Sequence, residues 1–373
     1  MAEAQRVPLS VLDLAPVPSG RTSAEALRNS LDLAKHVELW GYHRYWVAEH
    51  HNMPGIASSS PAVFIGHIAD VTHTMRVGSG GVMLPNHAPL TIAEQFGMLE
   101  AFHPGRIDLG IGRAPGTDQL TAAALRGSPH ISADAFPRDL GQLLAYFEEG
   151  PTEDPRRGLA PAWEPQDPRR GLAPAWEPQD PLFDRITAVP ARGNVPAFWL
   201  LGSSDFGAQV AGYLGLPFAF AHHFMPDNTL PALEAYRGTF RPSSTLQEPY
   251  AMVAVAVVCA PTDDRAKTLA LPSALSFLRL RSGRPGLLPT PEEAAQYPYN
   301  PTERAFIEQR QRHQVIGSPS TVRRGLSELL EQTHADELML TTIVHDHQDR
   351  LRSYEMVATH VAASLTRPGQ AAE

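Results

Sequence analysis

Histidines that follow predicted strands are the residues best suited to proton transfer in this sequence. The second predicted strand ends at Glu49, His50 and His51, and a histidine side chain titrates near neutral pH. Because successive side chains of a strand point to opposite faces, at most one of the two histidines can face an active site. We take His50 as the candidate catalytic residue, with a purely structural role as the alternative.

Histidines at two other strand ends leave a second chemistry open. His222 and His223 follow the sixth predicted strand, and His345 and His347 follow the eighth. Together with His50 they could supply the ligands of a metal hydrolase, because imidazole is a common zinc ligand. Such a site needs these side chains to converge, so we keep the metal hydrolase as an alternative and favour a site without metal.

Three glycines interrupt the third predicted strand. Gly78, Ser79, Gly80 and Gly81 follow one another within residues 77–85. Glycine weakens a strand, so its repeated use indicates a gain elsewhere. That gain is either the close approach of a flat ligand or an unusual backbone conformation, and the alternative is tight packing of a helix on the strand.

Two neighbouring strand ends carry residues suited to a phosphate. Arg113 follows the fourth predicted strand and can pair with a phosphate group, although a surface salt bridge is the alternative. Ser203 and Ser204 follow the fifth strand and precede a predicted helix, where free N–H groups and the helix dipole favour an anion. An ordinary serine N-cap is the alternative there. Together the two features indicate one phosphorylated ligand, such as a mononucleotide.

Short apolar runs alternate with amphipathic segments and predict the elements that position these residues. The predicted strands are residues 7–14, 42–48, 75–84, 107–112, 198–201, 217–221, 250–260 and 337–344. The predicted helices are residues 22–40, 60–71, 91–102, 136–149, 206–214, 230–240, 263–280, 321–332 and 349–363. Eight apolar strands, each followed by helical sequence, favour one closed parallel (β/α)₈ (TIM) barrel over residues 1–373, with the active site at the carboxyl ends of the strands.

Two stretches interrupt the alternation. Residues 154–179 are a tandem duplication, in which a proline-rich unit of 13 residues occurs twice without change. We predict a surface loop there, after the fourth barrel unit. Residues 281–301, after the seventh unit, are also rich in proline and glycine, and long irregular loops in compact domains are often lids. We therefore predict an active-site lid.

The composition limits the classes of partner. The chain has 373 residues, 43% of them hydrophobic, and a formal net charge of -9 with no basic tract, so we expect no nucleic-acid partner. No apolar run reaches membrane-spanning length, and no signal-peptide pattern is present, so we expect a cytoplasmic protein without membrane contact. The single cysteine, Cys259, lies in an apolar run and is predicted to be a buried core thiol.

Taken together, these motifs resemble the luciferase-like monooxygenase family, a group of flavin-dependent oxidoreductases. The resemblance covers most of the chain. It is most specific at residues 46–51, at 77–85 with His87 and Pro89, at 102–106 with 110–113, and at 201–204 with 215–217.

The family resemblance implies a (β/α)₈ barrel that binds FMN, or a deazaflavin in some branches, at the carboxyl ends of its strands. It implies that His50 lies beside the reactive edge of the flavin and that a non-proline cis peptide joins Gly80 and Gly81 against the ring. The residues it assigns to the cofactor are Ser79, Gly80, Gly81, Arg113, Ser203, Ser204 and Gly207.

The activity that the resemblance implies is oxygenation of a small organic substrate. A separate flavin reductase would supply reduced FMN, which reacts with O₂ to form a C4a-peroxyflavin. The alternatives are a deazaflavin-dependent dehydrogenase and a non-catalytic flavin-binding protein. The resemblance also implies a homodimer. One departure is Gly112, which stands where the light-emitting subunit has a cysteine and argues against light emission.

Overall fold

The computed structural model describes residues 6–126, 135–147 and 186–367, and these ranges contain ten strands and twelve α-helices. The strands are β1 (Leu9–Asp13), β2 (Arg44–Val47), β3 (Arg76–Ser79), β4 (Val82–Met83), β5 (Ile107–Gly112), β6 (Ala197–Gly202), β7 (Phe218–Phe220), β8 (Ala251–Cys259), β9 (Val315–Gly317) and β10 (Glu337–Thr341). The helices are α1 (Ser23–Leu39), α2 (Pro61–Val71), α3 (Pro89–Phe102), α4 (Gln119–Arg126), α5 (Phe136–Ala145), α6 (Asp205–Leu214), α7 (Thr229–Thr239), α8 (Asp263–Arg281), α9 (Pro291–Gln296), α10 (Pro301–Gln311), α11 (Pro319–Thr333) and α12 (His347–His360).

Eight of these strands close into a parallel barrel. The order is β1, β2, β3, β5, β6, β7, β8 and β10, and β10 pairs again with β1. These are the eight strands that the apolar runs predicted, so the predicted (β/α)₈ barrel is confirmed. The third predicted strand is divided in two. The first part, β3, ends at Ser79, and the second part is β4, which pairs with β5.

Side chains of alternating direction fill two layers around each strand. In β2, Tyr45 and Val47 pack outward against the helices, whereas Trp46 lies inside the barrel with Leu12 and Trp199. The rings of Trp46 and Trp199 meet edge to face with their centroids 5.1 Å apart. Burial on both faces explains why the strands appear in the sequence as continuous apolar runs.

A buried ion-pair network closes the barrel at the amino ends of the strands. Arg44 donates from Nη1 to Asp108 at 2.8 Å and from Nε to both carboxylate oxygens of Glu337 at 3.1 Å. Arg76 donates to the other side of Asp108, and Tyr250 donates to Glu337. Both carboxylates are fully buried. In barrels of this kind the amino end serves stability and not chemistry.

The segment predicted as a lid is only partly irregular. Helix α8 extends to Arg281, and α9 occupies Pro291–Gln296 within residues 281–301. Between the two helices, the Leu288 N–H donates to the carbonyl of Val17, and the Ser19 N–H donates to the carbonyl of Leu288. Because Val17 and Ser19 follow the carboxyl end of β1, this segment lies at the mouth of the barrel.

Two further predictions from the sequence concern Cys259 and the duplicated segment. Cys259 is buried at the end of β8, and burial raises the pKa of its thiol to about 12, as expected for a core cysteine. The duplicated residues 154–179 lie outside the described ranges. Within those ranges, no helix combines the length and apolar character needed to cross a bilayer.

Candidate active site

His50 lies just beyond the carboxyl end of β2 and is held by the loop that follows β5. Its Nδ1 is 3.1 Å from the carbonyl oxygen of Gly116. A carbonyl only accepts hydrogen bonds, so Nδ1 carries the proton and Nε2 keeps its lone pair. Burial lowers the pKa of His50 below its usual value. The side chain is therefore a neutral imidazole at neutral pH, with Nε2 able to accept a hydrogen bond or a proton.

Glu49 lies beside the candidate site but was not among the site residues predicted from the sequence. Its fully buried carboxylate accepts hydrogen bonds from His51 and His87, each at 2.8 Å, and from the Met83 N–H at 2.9 Å. Burial raises the pKa of Glu49, but the electrostatic interaction with His87 and the hydrogen bonds from His87, His51 and the Met83 N–H outweigh this effect and lower it. Glu49 thus ties the end of β2 to the segment after β4. The sequence did carry a signal for Glu49. Continuing the alternation of side chains beyond the end of β2 places Glu49 and His51 on the opposite face from His50.

The glycine-rich break between β3 and β4 contains a cis peptide bond between Gly80 and Gly81, as the family resemblance implied. A Cβ atom on Gly81 would overlap Leu201 and lie 2.7 Å from the Gly110 carbonyl oxygen, and one on Gly80 would lie 2.8 Å from Leu12. The Gly110 backbone therefore requires glycine at position 81, whereas the Leu12 side-chain end beside Gly80 can shift. Tight packing of a helix, the alternative considered from the sequence, is not the cause, since none of these contacts comes from a helix.

Ser79 precedes the cis bond and is fully buried. Its hydroxyl donates to the Gly110 carbonyl at 2.9 Å and accepts from the Gly110 N–H at 3.0 Å. This pair of bonds joins β3 to β5 where the ladder would otherwise be interrupted. A direct contact between Ser79 and a cofactor stays a prediction.

The carboxyl ends of β5 and β6 bring together the residues predicted to bind a phosphate. The guanidinium carbon of Arg113 lies 4.3 Å from the centre of the Phe206 ring, in the first turn of α6, and no described carboxylate forms an ion pair with Arg113. Ser204 is the N-cap of α6, but its hydroxyl makes no capping hydrogen bond to the helix. Ser204 thus occupies the N-cap position with its hydroxyl unused, and Arg113 forms no ion pair with a described carboxylate, so both groups can bind an anion.

Close packing of α6 on β6 shapes the rest of the predicted anion site. A Cβ atom on Gly207 would lie 3.3 Å from the Leu201 carbonyl oxygen, so glycine lets the first helical turn approach the strand end. The Ser203 carbonyl accepts a hydrogen bond from Asn228 at 3.2 Å, and Asn228 also donates to Asp205. These two hydrogen bonds hold the loop between β6 and α6, and they pair the Asp205 carboxylate with the Asn228 side-chain amide.

The histidines considered as metal ligands bind separate partners. His222 Nδ1 is 2.8 Å from the Thr229 hydroxyl, and His345 Nε2 is 3.3 Å from the Ser19 hydroxyl. His347 pairs with Asp32 at 2.8 Å. Within the described ranges, no group of three or more histidine, cysteine, aspartate or glutamate side chains is arranged to hold a metal ion. The metal-hydrolase alternative therefore finds no ligand set there.

The two histidines after β7 are expected to make the stability of the fold depend on pH. Burial lowers the pKa of both His222 and His223 to about 4, whereas both protonate near pH 6.5 in the unfolded chain. The unfolded state binds more protons between these values, so stability should fall as the pH drops from 6.5 to 4. We expect a loss of about 3 kcal/mol per histidine, to be measured by urea unfolding across this range.

A matched pair of variants tests the origin of that pH dependence. His223→Asn keeps a donor for the Ala254 carbonyl, which His223 Nδ1 contacts at 3.1 Å, but removes the titrating ring. The variant should have a smaller slope of stability against pH, because one of the buried histidines no longer titrates. His73→Asn changes an exposed histidine and should keep the full slope. Equal slopes in both variants would contradict the assignment.

Comparison with known proteins agrees with this arrangement. The family model described as luciferase-like monooxygenase matches residues 7–337. A luciferase-like monooxygenase of Escherichia coli (strain K12) is 44% identical over 94% of this chain and 96% of the relative. An N-acetyl-S-alkylcysteine monooxygenase of Bacillus subtilis (strain 168) is 31% identical over 95% of this chain and 98% of its own length.

Solved structures share the fold over nearly the whole chain. The crystal structure of apo-MsnO8 has a TM-score of 0.81 at 37% identity and covers 97% of this chain and 99% of its own. Two structures below 25% identity show a common fold alone. One is the oxygenating constituent of 3,6-diketocamphane monooxygenase from Pseudomonas putida in complex with FMN (TM-score 0.68), and the other is an F420-dependent secondary alcohol dehydrogenase (TM-score 0.62). The matched family model and the identity to its members show that this chain belongs to the luciferase-like monooxygenase family.

Proposed function

We propose that the protein is a monooxygenase that uses reduced FMN and O₂ to oxygenate a small organic substrate. The observation that carries the proposal is the order of residues around the mouth. His50, Gly80–Gly81, Arg113 and Ser204 follow β2, β3, β5 and β6, which are consecutive neighbours in the barrel. Three interstrand spacings separate the histidine from the serine by roughly 15 Å, which suits an elongated mononucleotide with a ring at one end and a phosphate at the other.

The phosphate of FMN would be held at the β5 and β6 ends. Arg113 supplies a guanidinium, and the uncapped amino terminus of α6 supplies N–H groups and the Ser204 hydroxyl. These groups fit the cofactor because each has hydrogen-bonding capacity that the described chain does not use. The first turn at Gly207 packs close to the strand end, which brings the amino terminus of α6 near the mouth.

At the other end, the flavin ring would lie against Gly80 and Gly81 and beside His50. When bound, the reduced flavin supplies the electrons that activate O₂. His50 holds its Nδ1 proton against the Gly116 carbonyl, so Nε2 is the atom that accepts a proton or hydrogen bond from the reacting oxygen. Glu49 keeps the adjoining His51 turned away and fixes the β2 end.

Residues 281–301 would cover this site as a lid. The segment already contacts the chain after β1 through Leu288, which is 3% exposed. Covering the mouth excludes water during oxygen chemistry, which lids in other enzymes do. We further propose that the protein is a homodimer in the cytoplasm. We also propose that a separate flavin reductase supplies reduced FMN, because the sequence lacks a complete dinucleotide-binding glycine pattern.

The phosphate site can be tested without a known substrate. Arg113→Met should weaken FMN binding by about 10- to 100-fold because a charged hydrogen bond to the phosphate is lost. Riboflavin, which lacks the phosphate, should bind the variant and the parent protein equally. Fluorescence titration measures both affinities. An equal loss for FMN and riboflavin would place Arg113 near the ring and contradict the proposed orientation.

The activity itself is tested by supplying reduced FMN under ¹⁸O₂ with panels of aldehydes, ketones, amines and thioethers. Thioethers are included in the panel because one relative is named N-acetyl-S-alkylcysteine monooxygenase. Mass spectrometry should find one ¹⁸O atom in the product and one in water. Hydride transfer with a deazaflavin and no oxygen uptake would support the dehydrogenase alternative. Tight binding of oxidised FMN without turnover of any panel member would support the flavin-binding alternative.

A further inference from the structure

The half of the barrel mouth opposite the phosphate residues contains a small cavity. Its volume is about 50 Å³, and its walls come from the ends of β1, β7, β8 and β10 together with α8 and α10. Leu14, Val258 and Ile343 provide an apolar wall, and His223, Arg310 and Thr341 provide polar atoms. A single water needs about 10–15 Å³ by this measure, so the cavity has room for a larger group.

Arg310 lines this cavity, and no acidic side chain in the described part of the chain pairs with it. Its guanidinium stacks on Phe277, with the central carbon 3.6 Å from the ring centre, and Nη1 reaches the His223 carbonyl at 3.4 Å. The Nε atom is buried and has no hydrogen-bond partner among the described residues. Burial lowers the pKa of Arg310 to about 10, and no described carboxylate opposes that effect. An unpaired, desolvated guanidinium is costly in a folded protein.

Thr341 contributes a second unused polar atom to the same cavity. It is the last residue of β10 and is 4% exposed, and its hydroxyl has no hydrogen-bond partner within the ranges that the structure describes. Buried polar atoms are almost always hydrogen-bonded, so two unpartnered groups beside one cavity point to a bound ligand. The phosphate of the cofactor is not that ligand under the proposed function, because its residues follow β5 and β6.

We infer that Arg310 and Thr341 bind the carboxylate of an organic acid and that this acid is the substrate. That the acid is the substrate rests on the proposed function, whereas binding of the acid does not. A planar guanidinium matches a carboxylate through two parallel hydrogen bonds, and the Thr341 hydroxyl donates a third. The apolar wall then contacts the hydrocarbon chain. The carboxylate fixes one end of the molecule in this half of the mouth and leaves its chain to extend toward His50.

Calorimetric titration of the full-length protein with hexanoate and hexanamide tests the charge requirement. Hexanoate should bind at least about tenfold more tightly than hexanamide, as expected for hydrogen bonds to a charged group. Arg310→Met should remove this difference. Arg312→Met, which removes an exposed arginine from the same helix end, should keep it. Equal affinity for both probes in the parent protein, or a preference retained in Arg310→Met, would overturn the inference.

Two further measurements separate this inference from a folding defect and from the proposed function. Thr341→Val removes an unpartnered hydroxyl, so it should raise the melting temperature by about 2 °C and still weaken hexanoate binding about tenfold. Unchanged hexanoate affinity in this variant would contradict the role of Thr341, and equal binding of hexanesulfonate would contradict a carboxylate. FMN titration of Arg310→Met should match the parent protein. If neither protein binds FMN, the proposed function fails, whereas the hexanoate comparison can still be made without flavin.

Discussion

Replacing His50 with alanine is expected to abolish formation of the oxygenated product while FMN binding is retained. The imidazole is held neutral, with its Nδ1 proton on the Gly116 carbonyl and Nε2 unprotonated. Removing a positioned acid–base group commonly lowers a rate by about 10²- to 10⁴-fold. Oxygen uptake should continue and end as hydrogen peroxide, because the contacts assigned to the phosphate are untouched. Product yield per O₂ consumed, with peroxide assayed in parallel, measures this uncoupling.

A second variant distinguishes the chemistry of His50 from its position. His50→Asn can still donate a hydrogen bond to the Gly116 carbonyl, but it has no atom in the place of Nε2. We expect it to be as uncoupled as His50→Ala. Because burial lowers the pKa of His50, the parent enzyme should lose activity only below the usual histidine range as the pH falls. Full product yield in His50→Asn would show that the residue only supports the β5 loop.

Replacing Arg44 with methionine is expected to give the largest loss of stability, about 3–5 kcal/mol. Arg44 is the group that bridges Asp108 and Glu337 at the closed end of the barrel, and both carboxylates are completely buried. Methionine fills much of the space but leaves Glu337 with only hydroxyl donors from Ser10 and Tyr250. Urea unfolding at neutral pH measures the free energy of unfolding.

The neighbouring arginine provides the matched control for this prediction. Arg76 pairs with Asp108 alone and is partly exposed, and Asp108 would keep Arg44 and Trp46 as donors. Arg76→Met should therefore cost less, about 1–2 kcal/mol. Adding Glu337→Gln to Arg44→Met should restore part of the loss, because Glu337 is the buried carboxylate that loses its only cation among the described residues, whereas Asp108 keeps Arg76. A cost for Arg44→Met no larger than that for Arg76→Met would contradict the bridging role.

Local patterns in the sequence were sufficient to predict most of the secondary structure. Apolar runs predicted the eight barrel strands, and the capping pattern at Thr22 predicted the start of α1, where its hydroxyl accepts from the Glu25 N–H. Helix α10 escaped prediction because Ile307 is its only buried residue. A helix with so little buried surface has almost no hydrophobic periodicity to detect. The short strand β9 was missed for the related reason that three residues carry no period.

The strand-end motifs showed where the site lies, since parallel strands in a barrel end on one face. The sequence by itself thus determined the barrel, its mouth and the identity of His50, Arg113 and Ser204 as candidates, because hydrophobic periodicity and turn chemistry act between near neighbours.

Only the tertiary structure decided which polar groups are buried and paired. Glu49 meets His87, Arg44 meets Glu337, and Arg310 lies near Thr341 without an acid. These residues are distant in the chain, and an isolated charged residue is expected to be exposed. Closure of the barrel removes water from these groups and brings their partners together, and apart from the side-chain alternation around Glu49 no local pattern distinguished them from surface charges.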